Sequence, residues 1–152
     1  MRRLVYCFAA GAVALALAVP GATATETVTE HEKRATETFV DELPCVGEAT
    51  ITITYNSVFH MTENKKGFHV TATIAGKFIA DPTDPTLPTY RGRFTQWFGE
   101  RSTEKVEGGT FTFSVTGKGD DGSRVRFHEV AHFTVNKNGL IVEFEKPKCS
   151  AP

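Results

Sequence analysis

The chain has 152 residues, with 17 basic and 18 acidic side chains, a net charge of −1 and 40% hydrophobic content. That length suits one domain with a real core, small enough to benefit from a covalent staple. No basic stripe is visible along the sequence, which argues against nucleic acid as a partner.

Residues 1–24 read as a signal peptide. Arg2 and Arg3 precede an apolar run from Leu4 to Val19, Pro20-Gly21 breaks it, and Ala22-Thr23-Ala24 fits a cleavage site. The run is short for a membrane anchor, and no second apolar run follows. Export is therefore the expected localisation. Without Arg2 and Arg3, 15 basic residues face 18 acidic ones, a mature net charge of −3. Of three cysteines, Cys7 lies in the signal segment, leaving Cys45 and Cys149. In an oxidising compartment these two are expected to form a disulfide. Closing so long a loop stabilises by ~4–5 kcal/mol in the chain-entropy account.

Residues 25–38 are polar and charged, with Glu26, Glu30, His31, Glu32, Lys33, Arg34 and Glu37, and show no apolar face. They are expected to form a disordered lead-in, with the folded domain spanning 39–152. From Glu48 to Met61, Ile51, Ile53 and Tyr55 alternate with threonines. After Asn64-Lys65-Lys66-Gly67 the alternation resumes through Phe68, Val70, Ala72, Ile74 and Phe78, so the pair reads as a hairpin. Pairing Thr62 with Gly67 sets His60 opposite His69. Three prolines between Asp81 and Pro88 mark an exposed loop and a candidate contact surface.

Tyr90 to Gly99 reads as a third strand, with Gly92 at a bulge or close approach. Thr110 to Thr116 is the cleanest alternation, turned by Gly119-Asp120-Asp121-Gly122, with Val115 facing Val125 and Phe113 facing Phe127. The last hairpin turns at Asn136 to Gly139, pairing Val135 with Leu140, Phe133 with Val142 and Ala131 with Phe144. The whole predicts an all-β antiparallel meander of about six long strands. The cysteines flank the first and last of them, which favours a closed or nearly closed barrel; a two-layer β-sandwich is the alternative.

His128-Glu129-Val130-Ala131-His132 spells the H-E-x-x-H signature of zinc metalloproteases. On a helix both imidazoles reach one zinc and the glutamate polarises its water. On a strand the same step spans ~13 Å, too far for one ion. The flanking alternation favours the strand, so a zinc-dependent hydrolase is the minor alternative. Glu129 then falls on the apolar face, opposite Lys146, either as a cross-strand ion pair or as a carboxylate lining an interior pocket. His60, His69, His128 and His132 share the threonine-rich face. They are surface imidazoles, or candidate metal ligands without a complete set. Trp97 points away from Phe94 and Phe98, and with Arg91 and Arg93 forms a candidate interaction surface.

The segment Thr89-Tyr90-Arg91-Gly92-Arg93-Phe94-Thr95-Gln96-Trp97-Phe98-Gly99, with Gly119-Asp120-Asp121-Gly122-Ser123, His128, His132 and Lys146-Pro147-Lys148-Cys149, resembles small secreted proteins of actinomycetes that have no assigned activity. The resemblance covers roughly Phe39 to Cys149. It implies export and one domain, and no catalytic residue. In outline the chain is also similar to lipocalin-like ligand barrels, without their sequence signatures.

The expected function is a secreted, non-catalytic, monomeric barrel binding a small apolar ligand among Tyr55, Ile74, Phe94, Phe113, Phe127 and Glu129, with Ile53 and Phe133 also inside. No cofactor is implied. The alternative is an extracellular protein-interaction module using the proline loop and the Trp97 face.

Overall fold

In the computed structural model, which describes residues 25–103, 107–137, 139–144 and 148–150, eight strands form one antiparallel sheet. They are β1 (Glu26–Leu43), β2 (Gly47–Asn64), β3 (Gly67–Pro82), β4 (Tyr90–Thr103), β5 (Glu107–Gly119), β6 (Arg124–Asn136), β7 (Gly139–Phe144) and β8 (Lys148–Ser150). Each strand from β1 to β6 pairs with the next, and β8 also pairs with β6. The meander is as expected. Backbone pairing does not close it: among the described residues β1 and β7 are the ends of the strand order.

The sheet is nevertheless rolled at one end. Cys45, in the turn after β1, places its sulfur 3.7 Å from the Arg126 carbonyl oxygen on β6. In a flat sheet β1 and β6, five strand spacings apart, would be separated by ~24 Å. Side chains on the inner face fill the rolled end. Leu43, Ala49, Ile51, Ile53, Tyr55, Phe78, Ala80, Tyr90, Phe94, Val115 and Val125 form one buried cluster. Glycines on that face make the tight curl possible. A Cβ at Gly92 would meet the Phe78 ring at 2.6 Å and the Gly117 Cα at 2.6 Å. A Cβ at Gly76 would meet the Phe94 ring at 2.9 Å. Rings thus lie across bare backbone, a close approach that only glycine permits.

Of residues 25–38, expected outside the fold, 26–38 instead belong to β1. Their polarity concealed an edge strand held by backbone pairing along β2 from Glu26↔Glu63 to Leu43↔Gly47. Threonine hydroxyls reinforce it across the ladder, Thr36 with Thr54 at 3.3 Å and Thr38 with Thr52 at 3.0 Å. The register shifts between Glu32 and Ala35, where Arg34 takes φ 56° and donates its N–H to Asn56 Oδ1. This bulge lets one strand follow the curl.

Two registers differ from expectation by two residues. At the β2–β3 turn Asn64 pairs with Gly67. The Asn64 side chain accepts from the Lys66 N–H, and Gly67 takes φ 137°. That two-residue loop sets His60 opposite Thr71 and His69 opposite Thr62. In the β5–β6 hairpin the Gly119 N–H bonds to the Ser123 carbonyl, and Val115 faces Phe127 rather than Val125. Phe113 accordingly faces Glu129. The β6–β7 pairs match expectation, and they set His132 opposite Glu143. Lys146, expected opposite Glu129, and the signal segment lie outside the described residues.

The proline loop is tied down at the rolled end. Thr83 N–H bonds to the Glu48 carbonyl, Thr89 Oγ1 donates to Asp81, and the Asp120 N–H bonds to the Thr89 carbonyl. Asp84 accepts from both the backbone and the hydroxyl of Thr86, which holds its carboxyl below the usual range.

Candidate functional site: the open half of the inner face

Strand alternation gives the sheet two faces of different character. The inner face continues past the buried cluster toward the far end. There it carries Phe59, Met61, Phe68, Val70, Ile74, Phe98, Phe111, Phe113, Phe127 and Phe133, all half-buried. At β7, Leu140 and Val142 are exposed at 64% and 40%. The register places both on this face, opposite Val135 and Phe133. One half of the inner face is therefore packed and the other is left open, which is where a ligand can lie.

The aromatic rings of the open half touch one another. Phe113 meets Phe127 edge to face at 6.0 Å between centroids, Phe111 stacks on Phe113 at 6.5 Å, and Phe98 stacks on Phe133 at 6.4 Å. Phe133 also lies over Gly109, where a Cβ would meet its ring at 2.6 Å. Such contacts hold rings in fixed orientations, a prepared surface for an apolar or cationic body.

Around these rings the ionisable groups are carboxylates. By register, Glu30, Glu32 and Glu37 of β1, Glu100 of β4, Glu107 of β5 and Glu129 of β6 lie on the inner face. No lysine, arginine or histidine with a register partner in β1 to β7 shares it. Tyr55 O–H donates to Glu37 Oε1 at 2.6 Å. That bond, then burial and the charges of Glu37 and Glu32, push the phenol well above its usual value. Glu100 is also raised, chiefly by burial and then by the Glu107 charge. A cation lying between those two carboxylates would relieve both penalties.

The residues expected to line the interior divide between the two halves. Ile53, Tyr55 and Phe94 are buried in the packed cluster. Ile74, Phe113 and Phe127 are half-buried where the open half begins and pack against that cluster, and Glu129 and Phe133 lie on the open half. Glu32, Glu37 and Glu100 were not singled out from sequence. Strand parity with Phe98 was the available signal for Glu100, while Glu32 and Glu37 lie on β1, whose polarity concealed the strand.

The four candidate histidines face outward, and His60, His128 and His132 pair with hydroxyls. His128 Nδ1 lies 2.7 Å from Ser114 Oγ, His132 Nδ1 2.9 Å from Thr110 Oγ1, and His60 Nδ1 2.8 Å from Thr29 Oγ1. The H-E-x-x-H stretch lies wholly within β6, so its histidines are spaced along a strand with Glu129 on the opposite face. One zinc cannot bridge a ~13 Å step. Among the described residues no group of three or more His, Cys, Asp or Glu converges as a metal site.

Trp97 is outward and 41% exposed, with its indole lying over Gly99. An open depression beside it is lined by His69, Arg101, Thr110 and His132. Arg91 and Arg93 do not join it. Arg93 is four residues down β4, ~13 Å away. Cys149 pairs by backbone with Phe127, the residue after Arg126, whose carbonyl the Cys45 sulfur touches; its side chain lies outside the described residues.

Among the described residues no helix is long and apolar enough to cross a membrane. No protein-family model, no curated protein and no solved structure matches the chain.

Proposed function

We propose that this chain is an exported, non-catalytic binding domain whose open inner face takes an apolar ligand bearing a positive charge. The observation that carries the reading is the division of the inner face. One half is packed by its own side chains, while the other leaves touching phenylalanines half-exposed. Rings supply apolar area and negative faces. Glu100, Glu107 and Glu129, on the same side, supply the countercharge. In this reading a disulfide between Cys45 and Cys149 fixes the rolled end, making a nearly closed barrel open at its far mouth. The position of β8 on β6 beside the Cys45 contact supports it.

Calorimetric titration with three ligands of one alkyl length tests this: a trimethylammonium, a neutral glycoside and a sulfate, each below its micelle concentration. Saturable binding in the order cation, neutral, anion is expected. Phe127→Ala is expected to weaken all three, and Glu100→Gln only the cation. Equal affinity for the sulfate would refute the charged part of the reading, and no saturable binding the whole.

A second reading rests on Trp97. An exposed indole seated on glycine backbone between His69, Arg101 and His132 is a rigid aromatic anchor for an extracellular protein. Trp97→Ala then abolishes partner capture and leaves alkyl-ammonium binding unchanged.

A further inference from the structure

The outer face at the rolled end carries a second, independent feature. Lys77, Arg91, Arg93, Lys118, Arg124 and Arg126 are all exposed. Register brings them into two adjacent rows. Arg91 pairs with Lys118, which pairs with Arg124; Lys77 pairs with Arg93, which is separated from Arg126 by Thr116. Three pairs of like charges thus face each other directly across the ladder. Such pairs destabilise a sheet. Among the described residues one salt bridge answers them, Arg91 with Asp120 at 3.1 Å. Asp81, one step further along β3, is engaged by the Thr89 hydroxyl. The chain as a whole is not basic, so this concentration of cations is local.

We propose that this surface of β3 to β6 docks an anionic polysaccharide. Cations stand one strand step of ~4.8 Å apart in the three facing pairs, and Arg91 and Arg93, like Arg124 and Arg126, stand one two-residue step of ~6.6 Å apart, an array on which an extended glycan can set several anionic groups. The four arginines present planar forks suited to carboxylate or sulfate groups. Hydroxyls of Thr52, Thr54, Thr95 and Ser114 border the rows, that of Thr116 stands within one, and these groups match sugar hydroxyls. A single-stranded nucleic acid would need aromatic platforms, and the two rows hold none. A lipid surface would need an apolar anchor, and Ile79 is the lone exposed apolar side chain in the rows.

The test is retention of the protein on immobilised heparin and polygalacturonate, followed by equilibrium titration at several salt concentrations. Arg93→Glu with Lys118→Glu is expected to weaken binding about tenfold or more, and the wild-type affinity to fall steeply as salt rises. Lys65→Glu with Lys66→Glu, at the β2–β3 turn, makes the same net-charge change far from the rows and is expected to retain binding. Circular dichroism confirms that each variant is folded. Equal losses in both double variants would overturn the proposal, as would no binding at physiological salt. Tighter binding of an oligothymidylate or of phosphatidylglycerol vesicles than of either glycan would overturn the glycan as the partner.

Discussion

Replacing Lys118 by glutamate should make the protein more stable. Lys118 lies between Arg91 and Arg124 in register, so it meets a like charge on both sides. At ~7 Å separation in water each repulsion is worth about 0.6 kcal/mol, less once salt screens it. Glutamate turns both into attractions, partly offset by new repulsion from Asp120, which lies on Arg91. The net gain is about 1 kcal/mol at low salt, or a few degrees in Tm for a domain of this size. Lys118→Thr should give about half of that. Thermal unfolding followed by circular dichroism at low and at molar salt measures both. The gain must appear at low salt and vanish at high salt. A variant that loses stability at low salt, or gains equally at both, would refute the account of these rows as an unrelieved like-charge cluster.

Further expectations concern the inner face. Gly92→Ala drives a Cβ into the Thr116 carbonyl, the Gly117 Cα and the Phe78 ring, and should cost at least ~1–3 kcal/mol in denaturant unfolding; a neutral outcome would mean the curl does not depend on bare backbone there. Tyr55 keeps its proton to higher pH in the fold than in the unfolded chain. Its contribution is therefore intact below pH ~10 and lost as pH rises toward the folded value. Tyr55→Phe should flatten that alkaline loss, and an unchanged alkaline profile would contradict the Glu37 contact as its source. Glu100 is raised in the fold, so its ionisation opposes folding at neutral pH and ceases to do so below the ordinary carboxylate range. Glu100→Gln should stabilise at pH 7 and lose that advantage in acid. Reduction of the exported protein should expose two thiols and lower its Tm; labelled thiols without reductant would exclude the Cys45–Cys149 bridge.

Strands β2 to β7 were legible because their inner positions are apolar and their outer positions polar. The same criterion missed β1. Its inner positions include Glu30, Glu32, Glu37 and Asp41 beside Ala35 and Phe39, so alternation of hydrophobicity vanishes while alternation of facing remains. The H-E-x-x-H stretch was readable as strand from its flanks, since Val125, Phe127, Ala131 and Phe133 keep period two through it. Hairpin registers failed where loop length was ambiguous. The Asn64 side chain closes a two-residue loop that the residue string alone did not distinguish from a longer one. The cation rows were invisible for another reason. Their members are spread from Lys77 to Arg126, and only the ladder of β3 to β6 makes them neighbours.

The most direct test of the central claim is to map a bound alkyl-trimethylammonium by NMR on the labelled protein. The account predicts saturable shifts at Ile74, Phe113, Phe127 and Glu100, with the Trp97 indole unmoved on the other face. Shifts centred on Trp97, or none that saturate, would contradict a binding site on the open inner face.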